Sequence, residues 1–164
     1  MNTSELQIVH PFAPLFGPDS RILILGSFPS VKSREQNFYY GHPQNRFWKV
    51  LAALYDQPVP TSVPEKRELI LGHALALWDS VGSCTITGSS DASIRSVRPN
   101  DLRIILDACP IRKIYCNGRK SFEMYRKWIF PSIGMEAVCL PSTSPANAQW
   151  SLEKLTAAWS VLTE

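Results

Sequence analysis

Two segments of this sequence combine residue types that suit the binding of a flat ligand. Gly26–Ser30 reads GSFPS, and the long connection after it carries Phe38, Tyr39, Tyr40, His42 and Asn45. Planar rings and side-chain amides are suited to holding a heterocycle. Aromatic residues that fold back over the hydrophobic core would give the same pattern, so both interpretations remain open at this point.

Three further segments have residue types that can bind an anion or read a polar edge. Pro141–Trp150 reads PSTSPANAQW, and its hydroxyls and backbone N–H groups precede a predicted helix, where phosphate is often bound. Asn117 and Gly118 precede Arg119 and Lys120, which fits a turn or an anion contact. Asp79 follows the apolar run ALALW and either caps a turn or contacts a ligand.

The elements that must position these segments alternate between strands and helices. Apolar runs without polar alternation are typical of strands covered on both faces, and they occur at residues 21–26, 74–78, 113–116 and 136–140. Apolar spacing and capping residues predict helices over residues 47–55, 65–71, 101–108, 118–129 and 152–162, with Asn100 and Ser151 as N-caps. This alternation predicts an α/β fold with a mostly parallel sheet. Ligands of such sheets bind at the carboxyl ends of the strands, where the polar segments lie.

Length and composition restrict the class of protein. A chain of 164 residues that is 45% hydrophobic predicts one domain over residues 1–164 and excludes disordered, collagen-like and coiled-coil proteins. The formal net charge is only +3, but residues 95–127 hold nine basic side chains against three acidic ones. That stretch is either a solvated face or a nucleic-acid contact.

Cysteine spacing and the amino-terminal sequence indicate where the protein resides. Cys84, Cys109, Cys116 and Cys139 lack the spacing of a zinc or iron–sulfur site, so we expect no metal. No signal peptide or membrane span is predicted. We therefore expect a reduced, soluble, cytoplasmic protein.

Three segments in order carry a family resemblance. GSFPS, then YYGHPQNRFWKV from Tyr39, then LPSTSPANAQWSLEKL from Leu140 resemble the uracil-DNA glycosylase superfamily over residues 22–162. GHPQNRFWKV and SLEKL are similar to the mismatch-specific uracil-DNA glycosylases. GSFPS, YYGHPxN and PSTSPAN are more similar to the deoxyinosine (hypoxanthine-DNA) glycosylase branch, called family six.

The resemblance implies a fold, a reaction and a catalytic residue. The fold is a single-domain three-layer α/β/α sandwich around a four-stranded parallel sheet. The reaction is hydrolysis of the N-glycosidic bond of a deaminated base in DNA, without metal or cofactor. Phe28 stands where the mismatch-specific relatives have an Asn that holds the attacking water, and a phenyl ring cannot hold water. The essential Asn of the deoxyinosine branch corresponds to Asn45, whose amide oxygen we expect to orient the water; the alternative role is a helix N-cap.

The remaining site predictions follow from the need to flip the base out of the helix and to stabilise it as it leaves. Tyr40 is expected to stack on the base, with Phe28 as a second wall, and Asp79 to accept the N1–H of hypoxanthine or the N3–H of uracil. Backbone amides of residues 27–30 and the Ser142 hydroxyl are expected to stabilise the departing base. The full set of expected base-binding residues is Gly26, Ser27, Phe28, Tyr40, Asp79 and Ser142. The expected DNA contacts are Arg46, Lys120, Thr143, Ser144, Pro145, Ala146 and Asn147, with Ala146 as a small wedge.

Three functions are open at this stage. The first is a monomeric glycosylase of deoxyinosine, with uracil as the second candidate base. The second is a uracil enzyme of the mismatch-specific type, which NRFWKV favours and Phe28 disfavours. The third is a catalytically silent nucleic-acid-binding module that keeps the fold.

Overall fold

A computed structural model describes residues 5–10, 13–28, 38–87 and 95–164 of the chain. The strands of these residues are β1 Glu5–Val9, β2 Ile22–Gly26, β3 Leu75–Asp79, β4 Val81–Thr87, β5 Arg95–Pro99, β6 Lys113–Asn117 and β7 Ala137–Leu140. The α-helices are α1 Phe47–Leu54, α2 Val63–Leu71, α3 Arg103–Leu106, α4 Arg119–Met124, α5 Phe130–Ile133 and α6 Leu152–Trp159. A π-helical segment, Tyr125–Ile129, joins α4 to α5.

The central sheet has four parallel strands in the order β3-β2-β6-β7. Its four strands are the four apolar runs of the sequence, so the predicted fold class is confirmed. All five residues of β3 are buried, because a strand between two layers must be apolar on both faces. The packing of α1 against α6 includes Phe47 and Trp159, both with no exposed surface.

A second sheet was not predicted. Strands β1, β4 and β5 form an antiparallel sheet in the order β1-β4-β5. Strand β4 starts only two residues after β3, and the amides of Ser80 and Val81 donate to the carbonyls of Gly26 and Ser27. The second sheet is thereby fixed to the end of β2, and it brings His10, which follows β1, to the central sheet.

The helix caps agree with the predictions in one case and differ in another. The side chain of Ser151 accepts a hydrogen bond from the amide of Lys154 and caps α6, as predicted. Asn100 was predicted to cap a helix, and this is wrong, because its amide group donates instead to the carbonyls of Asp79 and Val81. The N-cap of the short α3 is Leu102, and the Asp101 side chain accepts a hydrogen bond from the amide of Arg103, two residues on, at 3.1 Å.

Two general features of the described residues bear on function. No helix among them combines the length and the apolar character that crossing a membrane requires. In the same residues, no three His, Cys, Asp or Glu side chains are grouped as metal ligands.

Candidate active site

Polar side chains meet at the carboxyl edge of the parallel sheet. Asp79 ends β3 directly beside Gly26, the last residue of β2, and Asn117 ends β6 beside Leu140, the last residue of β7. Parallel strands bring their carboxyl ends to one edge, so segments separated by up to about a hundred residues form one site there. These residues meet at the carboxyl edge of the sheet, where the sequence analysis expected the site.

Asn45 is connected to this edge by a chain of hydrogen bonds. The Thr143 hydroxyl donates to Oδ1 of Asn45 at 2.8 Å. Thr143 also accepts a hydrogen bond from Nδ2 of Asn117 at 3.0 Å, and its amide donates to Oδ1 of Asn117 at 3.0 Å. Thr143 has no exposed surface, so this connection is shielded from solvent.

The backbone fixes which atom of the Asn45 amide faces outward. The amide of Phe47 donates to Oδ1 of Asn45 at 2.9 Å, and a backbone N–H can only donate. Together with the Thr143 hydroxyl, this bond occupies both lone pairs of the oxygen. The prediction that the amide oxygen orients water is therefore wrong for this geometry. Nδ2 makes no hydrogen bond to the described residues and remains as the group that can contact a ligand.

Tyr40 lies between Gly26 and α1. Its ring stacks on Phe47 with centroids 4.0 Å apart and an angle of 24°, so one face is already covered. Its φ of 52° lies in the left-handed region, which is unusual for a residue other than glycine. Burial, and then the charge of Asp79, raise the pKa of the Tyr40 hydroxyl, which stays protonated and can donate. That hydroxyl is buried and makes no hydrogen bond of normal geometry.

Asp79 is paired with His10, a residue that the sequence analysis did not identify. Nε2 of His10 lies 2.7 Å from Oδ2 of Asp79, and the two side chains are only 4% and 5% exposed. The His10 ring meets the ring of Phe28 edge-on, with centroids 5.8 Å apart. Phe28 is 8% exposed and packs with Val81, so it supports this pair and offers little surface as a wall for a base.

The glycine that ends β2 allows the Asp79 carboxylate to approach the strand. A Cβ atom on Gly26 would lie 2.3 Å from Oδ1 of Asp79 and 3.1 Å from the Tyr40 hydroxyl oxygen. Any side chain at this position would displace Asp79. Of the predicted GSFPS segment, Pro29 and Ser30 lie outside the described residues.

The loop after β7 is braced by its own polar groups. The hydroxyl of Ser142 accepts a hydrogen bond from the amide of Ser144, whose hydroxyl accepts one from the amide of Ala146. Asn147 donates from Nδ2 to the carbonyl of Ser142 at 3.0 Å. The Ser142 hydroxyl proton has no acceptor among the described residues, and it remains available to a ligand.

Arg46 holds this loop from the other side. Its guanidinium donates to the carbonyls of Ser144 and Asn147, each at 3.0 Å, and to that of Trp150. The amide of Arg46 also donates to the carbonyl of Thr143. Three of the five guanidinium donors are thus used to order the loop, and the contact of Arg46 with phosphate stays a prediction.

A sequence profile of the Uracil DNA glycosylase superfamily matches residues 13–163 of this chain. The chain belongs to the uracil DNA glycosylase superfamily. Its membership confirms the predicted enzyme class, a DNA glycosylase that hydrolyses N-glycosidic bonds.

Named relatives and a solved structure support the same family. A Hypoxanthine DNA glycosylase from Methanosarcina barkeri is 31% identical over 150 residues, which are 90% of this chain and 93% of that protein. One from Methanosarcina acetivorans is 32% identical over 142 residues, 85% of this chain and 89% of that protein. A solution NMR structure from the latter organism, provisionally described as a uracil DNA glycosylase, is 29% identical with a TM-score of 0.78 and covers 96% of this chain and all (100%) of that one.

The residues that were expected to bind DNA divide into two groups in this glycosylase. The side chain of Thr143 is completely buried, so its predicted contact with DNA is wrong, and it positions Asn45 instead. Ser144, Pro145 and Asn147 are partly exposed and Ala146 is exposed, which leaves their contact with DNA as a prediction. Lys120 is partly exposed beside a groove of about 320 Å³ that also contains Lys127 and the exposed ring of Trp128.

The basic stretch of the sequence does not form one patch on the glycosylase. Arg112 and Lys113 lie at the amino end of β6, whereas Arg119 and Lys120 follow its carboxyl end. A strand of five residues separates them by roughly 15 Å along the sheet. Only the second pair is at the edge where the site lies.

The sequence analysis missed the roles of three residues in the glycosylase site. His10 lies in a segment without a motif, and its partner is 69 residues away. Asn117 was noted only for a turn or an anion contact, and its bonds to Thr143 were not predicted, although its position at a strand end was a usable signal. Thr143 was expected to contact DNA because it lies in the PSTSPAN segment that carries the family resemblance.

Proposed function

We propose that this protein hydrolyses the N-glycosidic bond of hypoxanthine in deoxyinosine, as a monofunctional DNA glycosylase of base excision repair. The observation that carries the proposal is the buried carboxylate of Asp79 at the carboxyl edge of the sheet. Hypoxanthine has a hydrogen-bond donor at N1, where adenine has an acceptor, so a carboxylate favours the deaminated base. The names of the two Methanosarcina relatives support this choice of base.

The flipped base would lie along the sheet edge, with its N1 edge at Asp79 and its sugar toward Asn45. Strands β3 and β6 are separated by β2, so their ends are two strand spacings, roughly 10 Å, apart. Tyr40 lies between them, and Phe47 supports its ring from behind. The face of the Tyr40 ring opposite Phe47 is the proposed stacking surface.

Cleavage needs a water molecule beneath the sugar carbon and stabilisation of the base as it takes up electrons. Nδ2 of Asn45 would hold the water by donating to its oxygen, which leaves a lone pair for the attack on the sugar. An amide does not remove the proton of that water, so most of the rate acceleration must come from the leaving-group side. The Ser142 hydroxyl, whose proton is unused, would donate to the departing base.

The test is single-turnover release of base from matched oligonucleotides that carry deoxyinosine or deoxyuridine. We expect hypoxanthine to be released faster, and Asn45→Ala to slow its release by about 100-fold or more, the effect of losing one positioned donor. Loss of the hydrogen bonds from the Phe47 amide and the Thr143 hydroxyl would also destabilise Asn45→Ala.

Asn45→Asp is the matched control for that structural effect. The carboxylate keeps the oxygen that accepts from Phe47 and Thr143, and it replaces the Nδ2 donor with a charged oxygen. We expect this variant to unfold like the natural protein and to be slow in releasing hypoxanthine. An Asn45→Asp variant with the natural rate would show that the Nδ2 donor is not needed for the reaction.

The other functions are outcomes of the same assay. Uracil release that exceeds hypoxanthine release would favour the mismatch-specific type. Release of neither base, with DNA binding intact, would favour the silent binding module. A monomer, a cytoplasmic location and action without metal or cofactor remain predictions from the sequence.

A further inference from the structure

The pair formed by His10 and Asp79 is not explained by the proposed reaction alone. The two side chains come from different sheets and are 69 residues apart in the chain. Both are almost completely buried, and burial of such a pair is seldom a net gain in stability over apolar residues. A pair of this kind at the edge of an active site therefore calls for a functional explanation.

Packing holds the His10 ring in one place. The His10 amide donates to the carbonyl of Gly82 at 2.7 Å, which attaches this residue to β4. The ring is edge-on to Phe28 and tilted against Tyr39, with centroids 5.8 Å and 6.3 Å away. Nε2 is thereby directed at Oδ2 of Asp79, and Oδ1 is directed at the end of β2 beside Gly26.

We propose that His10 determines base specificity by donating from Nε2 to Oδ2 of Asp79, which holds Oδ1 as a hydrogen-bond acceptor toward the base. This inference rests on the proposed function. A carboxyl group held in this way accepts the N1–H of a 6-oxopurine and cannot donate to the bare N1 of adenine. A carboxyl group without the histidine can rotate away from the base, which weakens the selection against adenine.

The hydroxyl of Tyr40 is a second polar group at this point of the site. It approaches the end of β2 where Oδ1 of Asp79 lies. Among the described residues the Asn117 side chain interacts with it, without a hydrogen bond of normal geometry. An acceptor at this point matches the N1–H of hypoxanthine and opposes the bare N1 of adenine.

The experiment compares two substrates that differ at this edge. One oligonucleotide carries deoxyinosine, and the other carries the deoxyriboside of unsubstituted purine, whose N1 is an acceptor. We expect His10→Leu to lower the preference for deoxyinosine by about 10- to 100-fold, the value of a charge-assisted hydrogen bond. His10→Gln can donate from a similar position and should stay within about threefold of the natural preference.

Substitution of Asp79 is expected to reverse the substrate preference rather than to weaken it. In Asp79→Asn, a donating His10 would bind the amide oxygen and turn the amide NH2 toward the base, so the preference should shift to unsubstituted purine. In the double variant His10→Leu, Asp79→Asn the amide can rotate, and this shift should be lost. Neither of these two variants leaves a buried charge, so the comparison can be made if His10→Leu alone does not fold.

The outcomes separate the inference from the proposed function. Natural protein that releases hypoxanthine, with a preference that does not depend on residue 10 in either background, would overturn the role of His10 and leave the proposed function intact. Equal loss of both substrates in His10→Leu and His10→Gln would assign His10 to folding alone and would also overturn it. Natural protein that releases no deaminated base would overturn the proposed function and the inference with it.

Discussion

Replacement of Thr143 by valine tests whether the buried hydroxyl orders the catalytic amide. Valine keeps the shape of threonine and removes the hydroxyl that joins Asn117 to Asn45. Two hydrogen bonds are lost at about 1 kcal/mol each, and the buried partners left without them raise the cost to about 2–3 kcal/mol. For a chain of this length that is a decrease in Tm of roughly 6–9 °C.

Thr143→Ser is the matched control, because it keeps the hydroxyl and loses only a methyl group. We expect it to cost about 1 kcal/mol and to leave the rate of base release nearly unchanged. Thr143→Val should slow base release as well, since Oδ1 of Asn45 would keep only its bond from the amide of Phe47. Thermal unfolding and single-turnover release measure the two effects. The reasoning is refuted if the valine variant is as stable and as active as the serine variant.

Three further predictions concern the loop, the sheet edge and a buried thiol. Arg46→Met should lower Tm without changing the slope of log K against log salt for DNA binding, because its guanidinium orders the loop. Lys120→Ala should reduce that slope by about 1. The opposite pattern would show that Arg46 contacts phosphate and Lys120 does not. Gly26→Ala should abolish release of hypoxanthine in a folded protein, because its Cβ would displace Oδ1 of Asp79, and an active variant would show that Asp79 is not needed there. Burial raises the pKa of the Cys116 thiol from 9.0 to about 12. Between these pH values the folded chain keeps a proton that the unfolded chain releases. The free energy of unfolding should therefore fall as pH rises from 9 to 12. Denaturant titrations should find a smaller fall in Cys116→Ala, and an equal fall would exclude this thiol as a cause.

The sequence by itself determined the central sheet, the place of the site and the family. Strands β2 and β3 are short apolar runs, because a strand buried on both faces must be such a run whatever its neighbours are. The expectation of burial on both faces is wrong for β7, an edge strand in which Val138 and Cys139 are exposed. Polar residues directly after these runs had to meet at one edge, because parallel strands share their direction. Ser151 was recognised as a cap because its contact to Lys154 spans only three residues.

Only the tertiary structure decided which atoms of the site are free and which are used. The bond between Thr143 and Asn45 joins residues 98 apart, and the pairing of His10 with Asp79 spans 69. Arg46 was expected to contact DNA, but its guanidinium donates to a carbonyl 104 residues away. A residue type specifies what a side chain can donate or accept, and the packing of distant segments determines which partner receives it.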